Sequence, residues 1–216
     1  MGSPLRKGGP SWPRNSPNWG ALEVHQVLEF GVQQGGSAAI WALIFPLRRY
    51  VGIDIGNLRL PFPTALKKHP RFRAVSLKGG VDQGDKSAVR QIMDREFSGP
   101  LDLVVDDASH QYEATTAPFE VAFPRLRPGG AYIIEDWNWA HHPGPWHEPG
   151  HPWAGNPSLV NLLFRLTMIA ANREDIVARI VVHKSFAVIF RGPAHLDDTF
   201  TVAGAIGGRR PAPAVI

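Results

Sequence analysis

Two acidic clusters dominate the chemistry open to this chain. Asp106-Asp107-Ala108-Ser109-His110 follows the apolar run Leu101–Val105, and Glu135-Asp136 follows Ala131–Ile134. If those runs are neighbouring parallel strands, four carboxylates share one crevice and repel one another unless a cation sits among them. An all-oxygen set favours a hard ion, Mg2+ first and Mn2+ or Ca2+ next. His110 stands three residues beyond Asp107, near such an ion but not necessarily on it. The competing reading is structural, with one acid capping a helix, another paired to an arginine and His110 a satisfied loop histidine. That reading needs two acids at the end of each of two adjacent strands by coincidence.

A second group lies upstream, in Glu29-Phe30-Gly31-Val32-Gln33-Gln34-Gly35-Gly36-Ser37. Glycines at a strand-to-helix turn let a ligand approach the backbone closely, because no Cβ intervenes. The pattern is ExGxxxGxS rather than GxGxxG, so it lacks the spacing that presents a helix N-terminus to a pyrophosphate. Glu29 in that turn suits a ligand bearing an amino group or a sulfonium. Asp54 ends the next strand, at the distance expected of a carboxylate that takes both ribose hydroxyls. Further on, Asp82 and Gln83 within Gly79–Asp85 are placed to meet an adenine. The alternatives are a plain tight turn at Gly31 and Gly35–Gly36, and a helix cap at Asp82 or Asp85.

The elements that must position these residues alternate along the chain. Val24–Phe30, Tyr50–Ile55, Phe72–Ser76, Leu101–Val105 and Ala131–Ile134 read as buried strands. Helices are expected over Ser37–Phe45, with Ser37 as its cap, and over Lys86–Phe97, Ala117–Leu126 and Ser158–Asn172. Ile180–His183 and Phe186–Phe190 then read as a terminal antiparallel hairpin. Five β-then-α units and a hairpin predict a doubly wound, mostly parallel, seven-stranded α/β sheet, with ligands gathered at the carboxyl ends of its strands.

Composition narrows the class. The 216 residues are 44% hydrophobic and 19% charged, which excludes wholesale disorder. No uncharged apolar run approaches the roughly eighteen residues of a membrane span. Cysteine is absent, removing disulfides, thiolate zinc sites and cysteine nucleophiles together. Met1–Gly20 has basic residues but no apolar stretch behind them, so no secretory signal is expected and the expected location is cytoplasmic. The net charge of +4 is scattered rather than gathered into a patch, which argues against a nucleic-acid partner. Residues 1–20 read as a loose arm, with Trp12 and Trp19 to dock it, 21–206 as one domain, and 207–216 as a tail.

EFGVQQGGS, VGIDI, GGVDQGD, DLVVDDASH, RPGGAYIIEDW and the final hairpin together resemble the class I S-adenosylmethionine-dependent methyltransferases, with their Rossmann-like fold. They are most similar to the metal-dependent sugar O-methyltransferases of macrolide biosynthesis, of the tylosin and mycinamicin type. The likeness runs from about Val24 to Arg191. It implies S-adenosyl-L-methionine and Mg2+ as cofactors. Glu29 and Gly31 would line the methionine end, Asp54 would hold the ribose, and Asp82 with Gln83 the adenine; Gly35, Ser37 and Asp106 complete the cofactor set. Asp107, Glu135 and Asp136 would hold Mg2+, and His110 would be the general base or steer the acceptor hydroxyl, with Asp107 beside it. The adenine turn reads VDQ where GDQ is more usual, and the family's sugar enzymes are often longer at the N-terminus.

Residues 137–157 (WNWAHHPGPWHEPGHPWAGNP) follow the acids directly and hold four of the seven Trp and four of the nine His. The segment has too much Pro and Gly for a regular element and too much Trp for a solvated linker. Indole faces stack on sugar C–H surfaces, so it reads as an acceptor-binding lid, with Trp137, His141, His142 and Trp146 as substrate contacts. A transition-metal site among its histidines and an oligomer contact are the alternatives. The expected partners are a small saccharide or glycoside acceptor, such as a short methylated mannoside, and a second copy in a homodimer. A metal-dependent hydroxylase on the same fold, a catechol-type O-methyltransferase and an RNA-binding module are the competing functions.

Overall fold

The computed structural model describes residues 23–58, 67–151 and 153–207. The predicted arm over residues 1–20, and all of the predicted tail except Gly207, lie outside the described residues. Seven strands form one sheet in the order β3-β2-β1-β4-β5-β7-β6. They are β1 (Gln26–Phe30), β2 (Arg49–Asp54), β3 (Val75–Gly79), β4 (Leu101–Asp106), β5 (Leu126–Glu135), β6 (Val177–Val182) and β7 (Phe186–Arg191). The first five run parallel, and β7 pairs antiparallel with both β5 and β6. The hairpin therefore folds back, so that its second strand, not its first, meets β5.

The helices lying wholly among the described residues are α1 (Gly36–Ile44), α2 (Lys86–Glu96), α3 (Tyr112–Ala122), α4 (Val160–Asn172) and the short α5 (Val202–Ala205). Strands covered on both faces must be apolar at successive positions rather than at alternate ones. Every residue of β4 is accordingly buried. On one face Phe119, Phe123 and Tyr132 stack at 4.6–4.8 Å beneath Leu162, Leu166 and Met93. On the other, Ala38 and Trp41 of α1 cover Val27, Leu103 and Val105. Asp102 fastens the amino ends of the central strands. Its Oδ2 accepts from His25 and Gln26 N–H at 2.8 Å and its Oδ1 from Arg127 Nε at 2.6 Å.

Three boundaries depart from expectation. The third strand begins at Val75 rather than Phe72, because Pro70–Ala74 winds into a 3-10 turn capped by the His69 ring. The helix expected over Ala117–Leu126 is α3, five residues earlier, so Arg125-Leu126 leaves it for a turn and the start of β5. Leu126–Glu135 is a single long strand with a register shift near its start, where Pro128-Gly129-Gly130 was expected only to end a helix. Ser37 does not cap α1; Gly35 stands at that position in the left-handed conformation, with no side-chain cap.

Candidate active site

The carboxyl ends of β2, β1, β4 and β5 lie side by side, and the loops leaving them enclose a cavity of about 720 Å3. That is the size of a small-molecule site, at the edge of the sheet where such sites form. Its centre is a contact between backbones. Gly31 has φ +86°, and a Cβ built there would lie 2.0 Å from the Asp107 carbonyl oxygen. Asp107 N–H in turn donates to Phe30 O at 2.9 Å, so the glycine turn and the acidic loop are locked together.

Asp54 holds the turn that follows. Its Oδ2 accepts from Val32 N–H at 2.9 Å and Gln33 N–H at 2.8 Å, and its Oδ1 from Gly56 N–H at 2.7 Å. It lines the cavity, and a carboxylate has lone pairs to spare beyond these three bonds. Asp85 caps α2, accepting from Ser87 and Ala88 N–H at 3.0 Å. Asp82 does not cap that helix and lines the cavity instead.

Gln83 is oriented by a proline. Pro118 inside α3 has no N–H, which leaves the Ala114 carbonyl without its helical partner. Gln83 Nε2 takes that carbonyl at 2.9 Å and also donates to Ser109 Oγ at 2.8 Å. Both donor hydrogens are thereby used. Gln83 Oε1 is left buried and without a partner, while the residue itself lines the cavity. A buried carbonyl oxygen with no donor is costly unless a ligand supplies one.

At the other end of the cavity, Asp107, His110 and Asp136 each place a ligand atom within 4.8 Å of the others. His110 Nε2 is 3.8 Å from Asp107 Oδ1. Burial holds the Asp107 carboxyl above the usual carboxylate range, helped by Asp136 and opposed by His110. Burial also raises Glu135, with Asp107 and Asp136 adding repulsion. Among the described residues only Gln33, His110 and Asp136 are non-glycines with positive φ, at 47°, 54° and 47°. All three line this cavity. Backbone strain of this kind persists where surrounding structure over-determines it, and it concentrates at functional sites.

Residues 28–137, from β1 to the tryptophan after Asp136, match a family profile described as a methyltransferase domain. The chain belongs to this methyltransferase family. Its fold is that of the class I S-adenosylmethionine-dependent methyltransferases. The methyltransferase is 31% identical over 152 residues to demethylmacrocin O-methyltransferase of Streptomyces fradiae, a match covering 60% of this chain and 35% of that one. It is 35% identical over 127 residues to mycinamicin VI 2''-O-methyltransferase of Micromonospora griseorubida, covering 55% of this chain and 29% of that one. The solved structure of MycE, a methyltransferase of the mycinamycin pathway in complex with Mg, SAH and mycinamycin VI, superposes with a TM-score of 0.61 at 26% identity. That alignment covers 79% of this chain and 45% of MycE. The methyltransferase thus spans about a third of the length of these curated relatives and under half of MycE.

Of the residues expected at the site of this methyltransferase, Gly31, Ser37, Asp54, Asp82, Gln83, Asp107, His110 and Asp136 line the cavity. Three of the expected cofactor residues stand behind its wall. Gly35 sets the start of α1. Glu29 is 1% exposed, accepts from Tyr50 Oη at 2.5 Å, and is pushed up to about 7 by burial. Asp106 is 2% exposed, accepts from Tyr132 Oη at 3.0 Å, and is likewise raised to about 7 by burial. Trp137, His141, His142 and Trp146 also lie off the cavity wall. They bond elsewhere, Trp137 Nε1 to His183 O at 3.0 Å and Trp146 Nε1 to His142 O at 2.9 Å. His141 Nε2 meets Ser158 Oγ at 3.2 Å, and His142 Nε2 meets Asn138 Nδ2 at 2.7 Å. Sequence reasoning missed Ser109, which shares Gln83, and Trp139, whose indole reaches the His110 loop. Pro118, four residues beyond Ala114, was the one available signal for the former.

The buried acids give the methyltransferase an inverted pH response. A carboxyl whose folded pKa is raised contributes stability that is whole below its unfolded pKa and lost as pH rises to the folded one. For Asp106 that window runs from about 3.8 to about 7. In metal-free protein, the unfolding free energy of Asp106→Asn should therefore gain on the wild type by on the order of 4 kcal/mol between those limits and then run level. Urea titrations at half-unit pH steps check this, and parallel curves would remove the assignment.

Proposed function

We propose that this chain transfers the sulfonium methyl of S-adenosylmethionine to a hydroxyl of a sugar or glycoside, assisted by Mg2+. The observation that carries the reading is one cavity with two unlike ends: a buried acceptor atom without a donor at Gln83 Oε1, and an acid–histidine cluster at Asp107, His110 and Asp136. The names of two further relatives, O-methyltransferases of a rhamnosyl tetracenomycin-C and of L-olivosyl-oleandolide, support a glycoside acceptor.

The residues fit both cofactors. Gln83 and Asp82 would meet the adenine, and Asp54 would offer its spare lone pairs to the ribose hydroxyls. Gly31 lets the methionine end approach, while buried Glu29 supports the turn from behind and Ser37 lines the cavity beside it. Asp107 and Asp136 would offer hard oxygens to Mg2+, with Glu135, which stands off the cavity wall, as the third carboxylate nearby. A bound divalent ion supplies Lewis acidity, lowering the pKa of a coordinated hydroxyl at neutral pH. His110 accepts the hydroxyl proton at Nε2 as the new oxygen–carbon bond forms and the sulfur–carbon bond breaks. The chain's main task is alignment, because the displacement is in-line and needs few groups beyond a positioned base. The acceptor enters beside Asp136, with residues 137–157 as its lid, and the enzyme works as a cytoplasmic homodimer.

Calorimetric titration with S-adenosylmethionine and S-adenosylhomocysteine, with and without Mg2+, tests the cofactor assignment. Micromolar binding is expected, followed by methylation of a deoxysugar or mannoside acceptor that EDTA abolishes and Mg2+ restores. Absence of binding in both conditions would overturn the assignment from Glu29 to Gln83. Cofactor-dependent transfer to a catechol but to no glycoside would overturn the acceptor class.

A further inference from the structure

We infer that Trp139 is a positioning residue that sets His110 against Asp136, so that the aromatic segment builds the base as well as covering it. The inference rests on the role proposed for His110 and goes beyond it by naming what holds that residue in place.

Trp139 is 8% exposed and has two N–H groups, and each meets one of the strained residues at the site. Its indole Nε1 donates to the His110 carbonyl at 2.6 Å. Its backbone N–H donates to the Asp136 carbonyl at 3.3 Å. Both recipients have left-handed backbones, at φ 54° and 47°, a conformation that a residue with a Cβ holds only when its neighbours enforce it. Asn156, at the far end of the segment after β5, makes the second side-chain bridge to the loop after β4.

The far end of the same segment repeats the grip one residue along. Asn156 Nδ2 donates to Gln111 Oε1 at 2.7 Å, and Gln111 is the N-cap of α3. The two ends of the aromatic segment thus hold consecutive residues, His110 and Gln111. Trp139 is itself fixed by edge-on contacts with Trp153 at 4.9 Å and Trp146 at 6.5 Å. Asp136 is braced from the other side, where its N–H donates to Ser185 O at 2.5 Å in the β6–β7 turn. Among the described residues the His110 N–H has no such brace, so release of the indole bond leaves its ring only the 3.8 Å approach to Asp107.

Trp139→Phe keeps an aromatic ring among Trp146 and Trp153 and removes only the indole N–H. It should lower kcat by about 100-fold, the cost of a misplacement near 1 Å. The dissociation constant for S-adenosylhomocysteine should stay within about threefold of wild type, because Gln83 and Asp54 are untouched. A second readout needs no turnover: NMR of the histidine rings in cofactor-free protein, with His110 assigned by His110→Gln. In Trp139→Phe the His110 resonances should move or broaden while those of His25 and His195, outside the segment, stay in place. Unmoved His110 resonances in a folded variant would overturn the inference whatever the activity. If Trp139→Phe does not fold, Asn156→Ala, which removes the hydrogen bond to Gln111, takes its place under the same criteria. A wild-type protein inactive on every acceptor would remove the proposed reaction and leave the ring resonances to decide the positioning role.

Discussion

Gly31→Ala should yield a protein that neither binds S-adenosylhomocysteine nor keeps its normal stability. The new Cβ would meet Asp107 O at 2.0 Å, Asp107 C at 2.5 Å and Ala108 Cα at 2.8 Å, all backbone atoms that cannot swing aside. Relief requires β1 and β4 to part at the point where Phe30 pairs with Asp106. The φ of +86° adds its own penalty for any residue with a Cβ. Overpacking and backbone strain together cost on the order of 3–5 kcal/mol, a large share of a typical domain's stability. Gly80→Ala is the matched control, since Gly80 also has positive φ, at 74°, but open space around the new methyl. It should lose only about 1 kcal/mol. Urea denaturation of the two variants separates the effects, and equal losses would show that the Asp107 contact is not what Gly31 protects.

Asp107→Asn should cost at least about a thousandfold in kcat while leaving the metal-free protein as stable as wild type or more so. Removal of one of the carboxylates proposed to hold Mg2+ would forfeit several kcal/mol of charge stabilisation at the reacting oxygen. The stability change has the opposite sign, because burial and Asp136 already press the Asp107 carboxyl towards its neutral form. The neutral amide relieves that repulsion, so stability and activity move apart. Thermal unfolding with and without Mg2+ makes the distinction, since wild type should be stabilised by the ion and the variant should not. Activity within tenfold of wild type would remove Asp107 from the metal set.

The strand pattern was legible because both faces of this sheet are covered. Runs such as Leu101–Val105 are apolar at successive positions, and the residues that end them are polar in a way only a crevice explains. The positions of Gly31, Asp54, Asp107, His110 and Asp136 followed from that. The helix after His110 was expected too late, over Ala117–Leu126 with Pro118 near its start, whereas it runs over Tyr112–Ala122 with Pro118 inside it. In the fold that proline's missing bond is used by Gln83, a contact across 31 residues that no local pattern encodes. The aromatic segment was read as a lid from its composition, yet three of its indole N–H groups turn to backbone carbonyls, on His142 within the segment and on His110 and His183 outside it. Composition reports the surface that tryptophan offers but not where its one donor points.

The fold-back hairpin also dictates an order of assembly. Asp136 leaves the ribosome about fifty residues before Ser185, whose carbonyl braces it, and β5 emerges well before β7. Until β7 arrives, β5 presents one whole edge of unpaired N–H and C=O groups on an apolar strand, the kind of edge that recruits foreign strands. The parallel pairing of Val27 with Leu103 is itself distant in sequence and so slow to form. A chain stalled or cleaved between residues 136 and 186 would thus be prone to aggregate, and synthesis past the hairpin is what makes the molecule safe to release.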